Sequence, residues 1–255
     1  MQNENLAPPP AAPIMKMVRH EVKRRMLTVA DARRLTPNMI RITLTGEELK
    51  DFPSMAPDDH IKVFVPDAAG EMVMRDYTPR RFSTGDRELV LDFAVHEAGP
   101  ATAWALSAQP GDQLEIGGPR GSRIVTGTVA HWLLIGDETA LPAIGRRLEE
   151  ATAADRFTVF VTIPGDADRQ SFDTPAQTEV HWISGEAAGM RDDALVEHVR
   201  AFDLPDDCFV WIATEGVLAR RLRAHFLDER GHSKFRLRAS GYWVRGEADT
   251  TVKFD

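Results

Sequence analysis

The chain has 255 residues, room for one large or two ordinary domains with sizeable cores, and its 27% charged and 43% hydrophobic residues are those of a globular protein. A formal charge of −8 argues against general binding to nucleic acid or anionic membranes. The single cysteine, Cys208, excludes an internal disulfide and a Cys-ligated iron–sulfur cluster, and eight scattered histidines without His-x-x-x-His or Cys-x-x-Cys spacing speak against a zinc site.

Residues 1–15, with Pro8-Pro9-Pro10, predict an extended or disordered leader. It lacks a basic region followed by an apolar core, and no apolar run approaches the roughly 18–20 residues of a membrane span, so a cytoplasmic protein is expected. Strands are predicted at Val22–Ala30 and Met39–Thr45, where Ile40, Ile42 and Leu44 alternate with Arg41, Thr43 and Thr45. Pro53 and Pro57 bracket a loop ahead of the strand His60–Val65. A β-type run from Met72 closes on Arg75-Asp76-Tyr77-Thr78-Pro79-Arg80, and Glu88–Val95 is the next strand. A turn at His96–Pro100, a short helix at Ala101–Ala108 and a strand at Leu114–Ile116 follow. Short strands with one small helix fit an antiparallel Greek-key barrel.

Near Thr128 the pattern changes. His131–Ile135, Phe157–Ile163, Glu179–Ile183 and Cys208–Ala213 read as strands, and Asp137–Glu150, Arg191–Ala201 and Glu215–Arg230 as helices. The first of these helices carries acidic residues in its first turn. Strands alternating with helices imply a doubly wound parallel sheet. The expected division is a leader over 1–15, an antiparallel β-barrel domain over 16–127 and an α/β domain over 128–255.

The residue types at Arg75–Arg80 suit a flavin. A tyrosine ring can lie flat on an isoalloxazine, the adjacent Thr78 hydroxyl can bond its nitrogen 5, and Arg75 can pair with a phosphate. An edge strand ending in a Thr-Pro turn would use the same residues. A helix opening after Gly99 leaves free N–H groups on small residues, where an anion can come close; proline at a first helical position is also ordinary. Gly136-Asp137-Glu138-Thr139 lies at a strand-to-helix junction, where nucleotide-binding sheets hold their ligand, but it is no G-x-G-x-x-G fingerprint. Its carboxylates equally suit a helix terminus.

These motifs, with His60-Ile61-Lys62-Val63-Phe64-Val65-Pro66, Gly99-Pro100-Ala101-Thr102-Ala103-Trp104-Ala105, Gly118-Pro119-Arg120-Gly121-Ser122, Gly136–Pro142 and Gly241-Tyr242-Trp243, resemble the siderophore-interacting protein family from about Arg19 to Gly246. That family includes NAD(P)H-dependent ferric-siderophore reductases and belongs to the ferredoxin-reductase-like flavoproteins. The resemblance implies that FAD carries electrons from NAD(P)H, or from ferredoxin as in some relatives, to a ferric siderophore that then releases Fe(II). It implies that Arg75, Tyr77, Thr78 and Arg80 hold the ring and phosphate, with His96, Gly99, Ala101 and Thr102 at the pyrophosphate turn. Asp137, Thr139 and Ala140 would face the flavin and nicotinamide, Thr214 and Glu215 would form a second nicotinamide-side loop, and Tyr242 and Trp243 would complete the cofactor site. Thr78 is then the catalytic hydroxyl, and Lys62 and Arg245 are the cations for an anionic chelate.

The chain departs from the pattern in two places. Val244 stands where the family carries a basic residue, and Ser184-Gly185-Glu186 has no arginine for a 2′-phosphate, which leaves NADH and NADPH both open. Lys234, Arg236 and Arg238 read as one exposed strand face. Of other classes, a serine hydrolase lacks its Gly-x-Ser-x-Gly elbow. A non-catalytic siderophore carrier would be colourless.

Overall fold

The computed structural model describes residues 13–95, 99–185, 187–247 and 250–254. Seven antiparallel strands form the first sheet: β2 (Arg24–Thr36), β3 (Met39–Thr45), β4 (Ile61–Pro66), β5 (Met72–Tyr77), β6 (Pro79–Ser83), β7 (Glu88–Ala94) and β8 (Gln113–Gly117). Their order, β5-β4-β8-β2-β3-β7-β6, curls around a core that includes Leu27, Ile42, Leu44, Val63, Leu91 and Leu114, with the helix α1 (Pro100–Ser107) packed against it. β3 keeps the expected alternation, Ile40, Ile42 and Leu44 inward. β7 is buried on both faces, because Leu89, Leu91 and Phe93 join this core while Val90, Asp92 and Ala94 are also covered.

A separate two-stranded ribbon pairs β1 (Ile14–Arg19) with β9 (Gly121–Thr126), setting Arg19 against Gly121 and Met17 against Arg123. Ile14 and Met15 are therefore strand residues, and the leader expected to run to residue 15 is already structured at its end.

The second sheet runs β12-β11-β10-β13-β14-β15, from β10 (Trp132–Gly136), β11 (Arg156–Ile163), β12 (Gln177–Ser184), β13 (Phe209–Glu215), β14 (Leu237–Trp243) and β15 (Val252–Lys253). Every pairing is parallel except that of β15. β10 and β13 are buried along their whole length, as strands with both faces covered must be. Leu134, Val159 and Trp211 pack with α2 (Leu141–Glu149); Leu133, Ile135 and Val210 pack with α3 (Ala188–Ala201) and α4 (Gly216–Ala224). The strand order reverses between β10 and β13, so the C-terminal ends of these two neighbours flank the switch point of the sheet.

Three sequence expectations are corrected here. α2 begins at Leu141, not Asp137, because Asp137 folds residues 137–140 into a turn: its side chain accepts from the Thr139 N–H at 3.0 Å and its carbonyl from the Ala140 N–H at 3.0 Å. No acidic residue remains in the first turn of α2. α4 ends at Ala224 and continues as a π-turn over His225–Glu229. Lys234–Arg236 is a 3-10 turn capped by Ser233, while Arg238 turns inward to Asp58 at 2.7 Å, so the three basic residues do not share an exposed face.

Buried polar contacts join the two sheets. Arg80 of β6 clasps Glu149 of α2 through bonds of 2.5 and 2.7 Å, and Arg146 reaches the Ser54 hydroxyl at 2.7 Å. Asp58 accepts from Arg238 and from the Trp211 indole, the latter at 3.1 Å. Asp168 accepts from the Thr36 hydroxyl and from both the backbone and side-chain amides of Asn38, each at 2.8 Å. Cys208 is fully buried, and burial pushes its thiol up to about 12. Met15, Met17, Met26, Met55, Met72, Met74 and Met190 are all exposed, whereas Met39 is buried.

Candidate functional site

A cleft of about 1230 Å³ lies between the sheets. Its first wall is the junction of β5 and β6, where Arg75, Tyr77 and Thr78 stand in a row. The Tyr77 ring packs on Phe93 with centroids 4.2 Å apart, and burial raises its hydroxyl well above the ordinary phenol range. Arg75 donates to the Met74 carbonyl at 2.7 Å and meets no carboxylate among the described residues.

Where β7 hands over to α1, Ala94, Gly99, Ala101 and Thr102 line the cleft. Pro100 has no N–H, and the first amide bonded back along this helix is that of Ala103, to the Gly99 carbonyl at 2.9 Å. The N–H groups of Ala101 and Thr102 are therefore without intrahelical partners, and among the described residues no side chain caps them. Gly99 has an ordinary φ of −77°, and a Cβ built there meets nothing within 4 Å. Neither the backbone nor the packing among the described residues asks for glycine at this position, and its missing side chain leaves the approach to the Ala101 and Thr102 amides open.

Glu138 and Thr139, just beyond β10, form the floor, and Tyr242 and Trp243 at the end of β14 form the second wall. The Tyr242 hydroxyl is buried without a partner among the described residues, as is Asp76 Oδ1 on the opposite side. Burial first, and then the Asp137 carboxylate beside it, push Glu138 up to about 7, with Arg191 3.9 Å away. A carboxyl with a raised folded-state value stabilises the fold only while protonated. The contribution is complete below the unfolded value and is lost as pH rises toward 7. Stability is thus expected to fall by on the order of 2–3 kcal/mol between about pH 4.5 and 7, and Glu138→Gln to flatten that slope in urea titrations. An unchanged slope in the variant would assign it to another group.

Several residues expected at the site lie away from it. Arg80 is 5% exposed and pairs with Glu149 as a strut between the sheets, and it does not line the cleft. Thr214 is fully buried and donates to the Glu215 carbonyl, while Glu215 caps α4 by accepting from the Val217 and Leu218 amides at 2.7 and 3.1 Å. Ala140 is buried behind Gly136, where a Cβ on the glycine would come within 2.7 Å of it. Asp137 supports the wall from behind by accepting from the Trp243 indole at 2.9 Å. Lys62 pairs with Asp76 at 3.1 Å, and Arg245 with Asp192 at 3.2 Å; neither lines the cleft. His96 lies outside the described residues.

Other cations line the cleft: Arg19 of β1, Arg120 just before β9, Arg123 of β9 and Lys253 of β15. Arg120 sits in a motif already singled out in the sequence, and Arg238 in the basic segment. Arg19, Arg123, Asp58 and Asp59 carried no local signal, because only the fold brings them together.

The cleft suits a flavin dinucleotide: a flat aromatic with a hydroxyl beside it, an arginine, and first-turn helix N–H groups on small residues. Fold and cleft together define a ferredoxin-reductase-like flavoprotein. Residues 129–246 match the family model described as siderophore-interacting protein, and residues 28–74 and 67–123 match that of the siderophore-interacting FAD-binding domain. The NADPH-dependent ferric-chelate reductase of Escherichia coli K12 is 32% identical over 248 residues, covering 89% of this chain and 95% of that protein. A siderophore utilization protein from T. fusca superposes with a TM-score of 0.86 at 34% identity, over 92% of this chain and 98% of that one. Likenesses to the ferredoxin reductase of carbazole 1,9a-dioxygenase and to ferredoxin–NADP+ reductase from Plasmodium falciparum, at 16% and 12% identity with TM-scores of 0.65 and 0.60, show the fold alone. The chain belongs to the siderophore-interacting protein family. Among the described residues no helix is long and apolar enough to cross a membrane.

Proposed function

We propose that this protein is an FAD-dependent ferric-siderophore reductase of the cytoplasm that draws electrons from NAD(P)H and releases Fe(II). One observation carries the reading: the flavin-shaped wall and a set of arginines share one cleft in a chain of net charge −8. The kinship with a ferric-chelate reductase named as NADPH-dependent supports it. Residues 16–127 then form the FAD domain and 128–255 the nucleotide domain.

Bound there, FAD supplies what this chain lacks, a group that accepts two electrons together and passes them on singly. Arg75 would bind a phosphate, and the Ala101 and Thr102 amides the pyrophosphate. Tyr77 would fix the plane of the ring, Thr78 would offer its hydroxyl to the ring edge, and the Tyr242 hydroxyl would gain the partner it lacks. Glu138 and Thr139, at the switch point, would face the nicotinamide. Arg19, Arg120 and Arg123 would draw the anionic chelate to the rim. Hard catecholate or hydroxamate oxygens hold Fe(III) much better than Fe(II), so reduction loosens the metal.

The test is the absorption spectrum of the pure protein and the steady-state reduction of a ferric-siderophore panel with NADH and NADPH. A yellow protein with a marked preference among siderophores is expected. Arg120→Ala with Arg123→Ala should raise KM for the preferred siderophore about tenfold or more while leaving the flavin spectrum intact, each lost charge-assisted contact being worth about 1–3 kcal/mol. A colourless protein would return the carrier reading; an unchanged KM would remove the two arginines from the substrate site.

A further inference from the structure

The rim of the cleft contains a hydrogen-bond chain that the reading above does not use. A serine hydroxyl has one proton to give and accepts twice. Ser122 Oγ has three neighbours: the Met55 N–H, which donates to it at 3.1 Å, Asp59 Oδ2 at 2.6 Å, and His20 Nε2 at 2.8 Å. Asp59 is 3% exposed, and its Oδ2 also accepts from the Ser54 hydroxyl at 3.0 Å and the Met55 and Ala56 amides at 2.9 and 3.1 Å. Four donors converge on that oxygen, so it acts as an acceptor and takes the single Ser122 proton. The remaining bond then has one possible direction: His20 Nε2 must donate to Ser122. The chain Asp59–Ser122–His20 fixes the hydrogen on Nε2 and leaves Nδ1 to a ligand or to solvent.

His20 lines the cleft, and its backbone amide donates to the Arg120 carbonyl at 3.1 Å, which places it at the root of the β1–β9 ribbon. Arg19 of β1, Arg120 just before β9 and Arg123 of β9 line the cleft beside it. From the second sheet comes Arg238, held by Asp58 at 2.7 Å. The arginines keep their charge at any ordinary pH, and both aspartates are already engaged. Two other groups lining the cleft can change charge near neutral pH: the imidazole of His60, at the head of β4, whose pKa burial lowers, and the Glu138 carboxyl on the floor, which burial pushes up to about 7.

We propose that His20 is a further substrate-binding residue of this site: as an imidazolium it offers Nδ1–H to an oxyanion of the bound ferric chelate, and it withdraws that donor as pH rises. The proposal rests on reading the cleft as a ferric-chelate site. It makes chelate affinity fall with pH through a group that the Asp59–Ser122 chain orients.

A gallium(III) tris-catecholate complex is anionic and is not reduced by flavin, so its binding to the oxidised holoprotein reads affinity apart from turnover. Titrated by calorimetry at pH 6.5 and 8.5, wild type is expected to lose about tenfold in affinity across that step. His20→Gln, whose amide can still donate to Ser122, should bind weakly at both values and change less than twofold between them. His60→Gln should keep the wild-type step. The same step in His20→Gln, or its loss in His60→Gln alone, overturns the proposal while leaving the chelate site standing. No binding by wild type at either pH overturns the chelate site and the role of His20 with it. Should His20→Gln fail to hold FAD, Ser122→Ala, which releases Nε2 from its fixed role, is expected to shrink the step; an unchanged step there counts against His20.

Discussion

Replacing Asp58 with alanine is expected to lower the free energy of unfolding by about 3–5 kcal/mol, the cost of removing one partner from a buried ion pair. Its side chain is 3% exposed and accepts from Arg238 at 2.7 Å and from the Trp211 indole at 3.1 Å, with Arg147 4.0 Å away. Arg147 is itself buried deeply enough that burial depresses its pKa, and it lies over the Trp132 ring at 4.3 Å. Without the carboxylate, guanidiniums would be left facing one another between the sheets. The contrast is Arg221→Ala, which breaks a 2.7 Å pair with Asp193 whose side chains are 49% and 69% exposed. Solvent screens that pair, and the loss should stay below about 1 kcal/mol. Urea denaturation of both variants decides the matter, and equal losses would show that burial does not set the difference.

Gly99→Val should separate folding from cofactor binding. Since a Cβ there has open space around it and the backbone is in a region any residue adopts, stability of the apoprotein is expected to change by less than about 1 kcal/mol. The valine methyls would instead occupy the approach to the Ala101 and Thr102 amides. FAD affinity, measured by titrating apoprotein with FAD, should fall at least tenfold, about 1.4 kcal/mol or more. A variant that unfolds readily yet binds FAD normally would make the glycine a requirement of the fold.

The sequence was most informative where chemistry is local. Ile40, Ile42 and Leu44 alternate because β3 has one core-facing side, and Arg75-Asp76-Tyr77-Thr78 brings four cleft residues in one short run. It misled where a long side chain chooses a distant partner. Arg80 reads as a second phosphate ligand beside Tyr77, but its guanidinium finds Glu149, 69 positions away, and is consumed there. Lys62 and Arg245 likewise meet Asp76 and Asp192, whose nearness is a matter of register and helix placement. Glu215 looks like a nucleotide-loop residue until α4 is seen to start immediately after it and need a cap. The rim cations were the least legible, since Arg19 and Arg123 converge only once β1 has crossed about a hundred positions to pair with β9.

The distribution of sulfur has a consequence for survival beside reactive iron. Fe(II) and oxygen together generate peroxide, which attacks thiolates and thioethers first. Cys208 is inert on two counts, being fully enclosed and held as the neutral thiol. The methionines offer the opposite arrangement. Every one in the described residues except Met39 stands at the surface, where conversion to a sulfoxide turns an apolar group already in water polar and opens no hole in a core. Oxidative damage is thereby steered to positions that can be modified and enzymatically repaired without unfolding the chain, and Met39 is the one described thioether whose oxidation would reach the packing between the sheets.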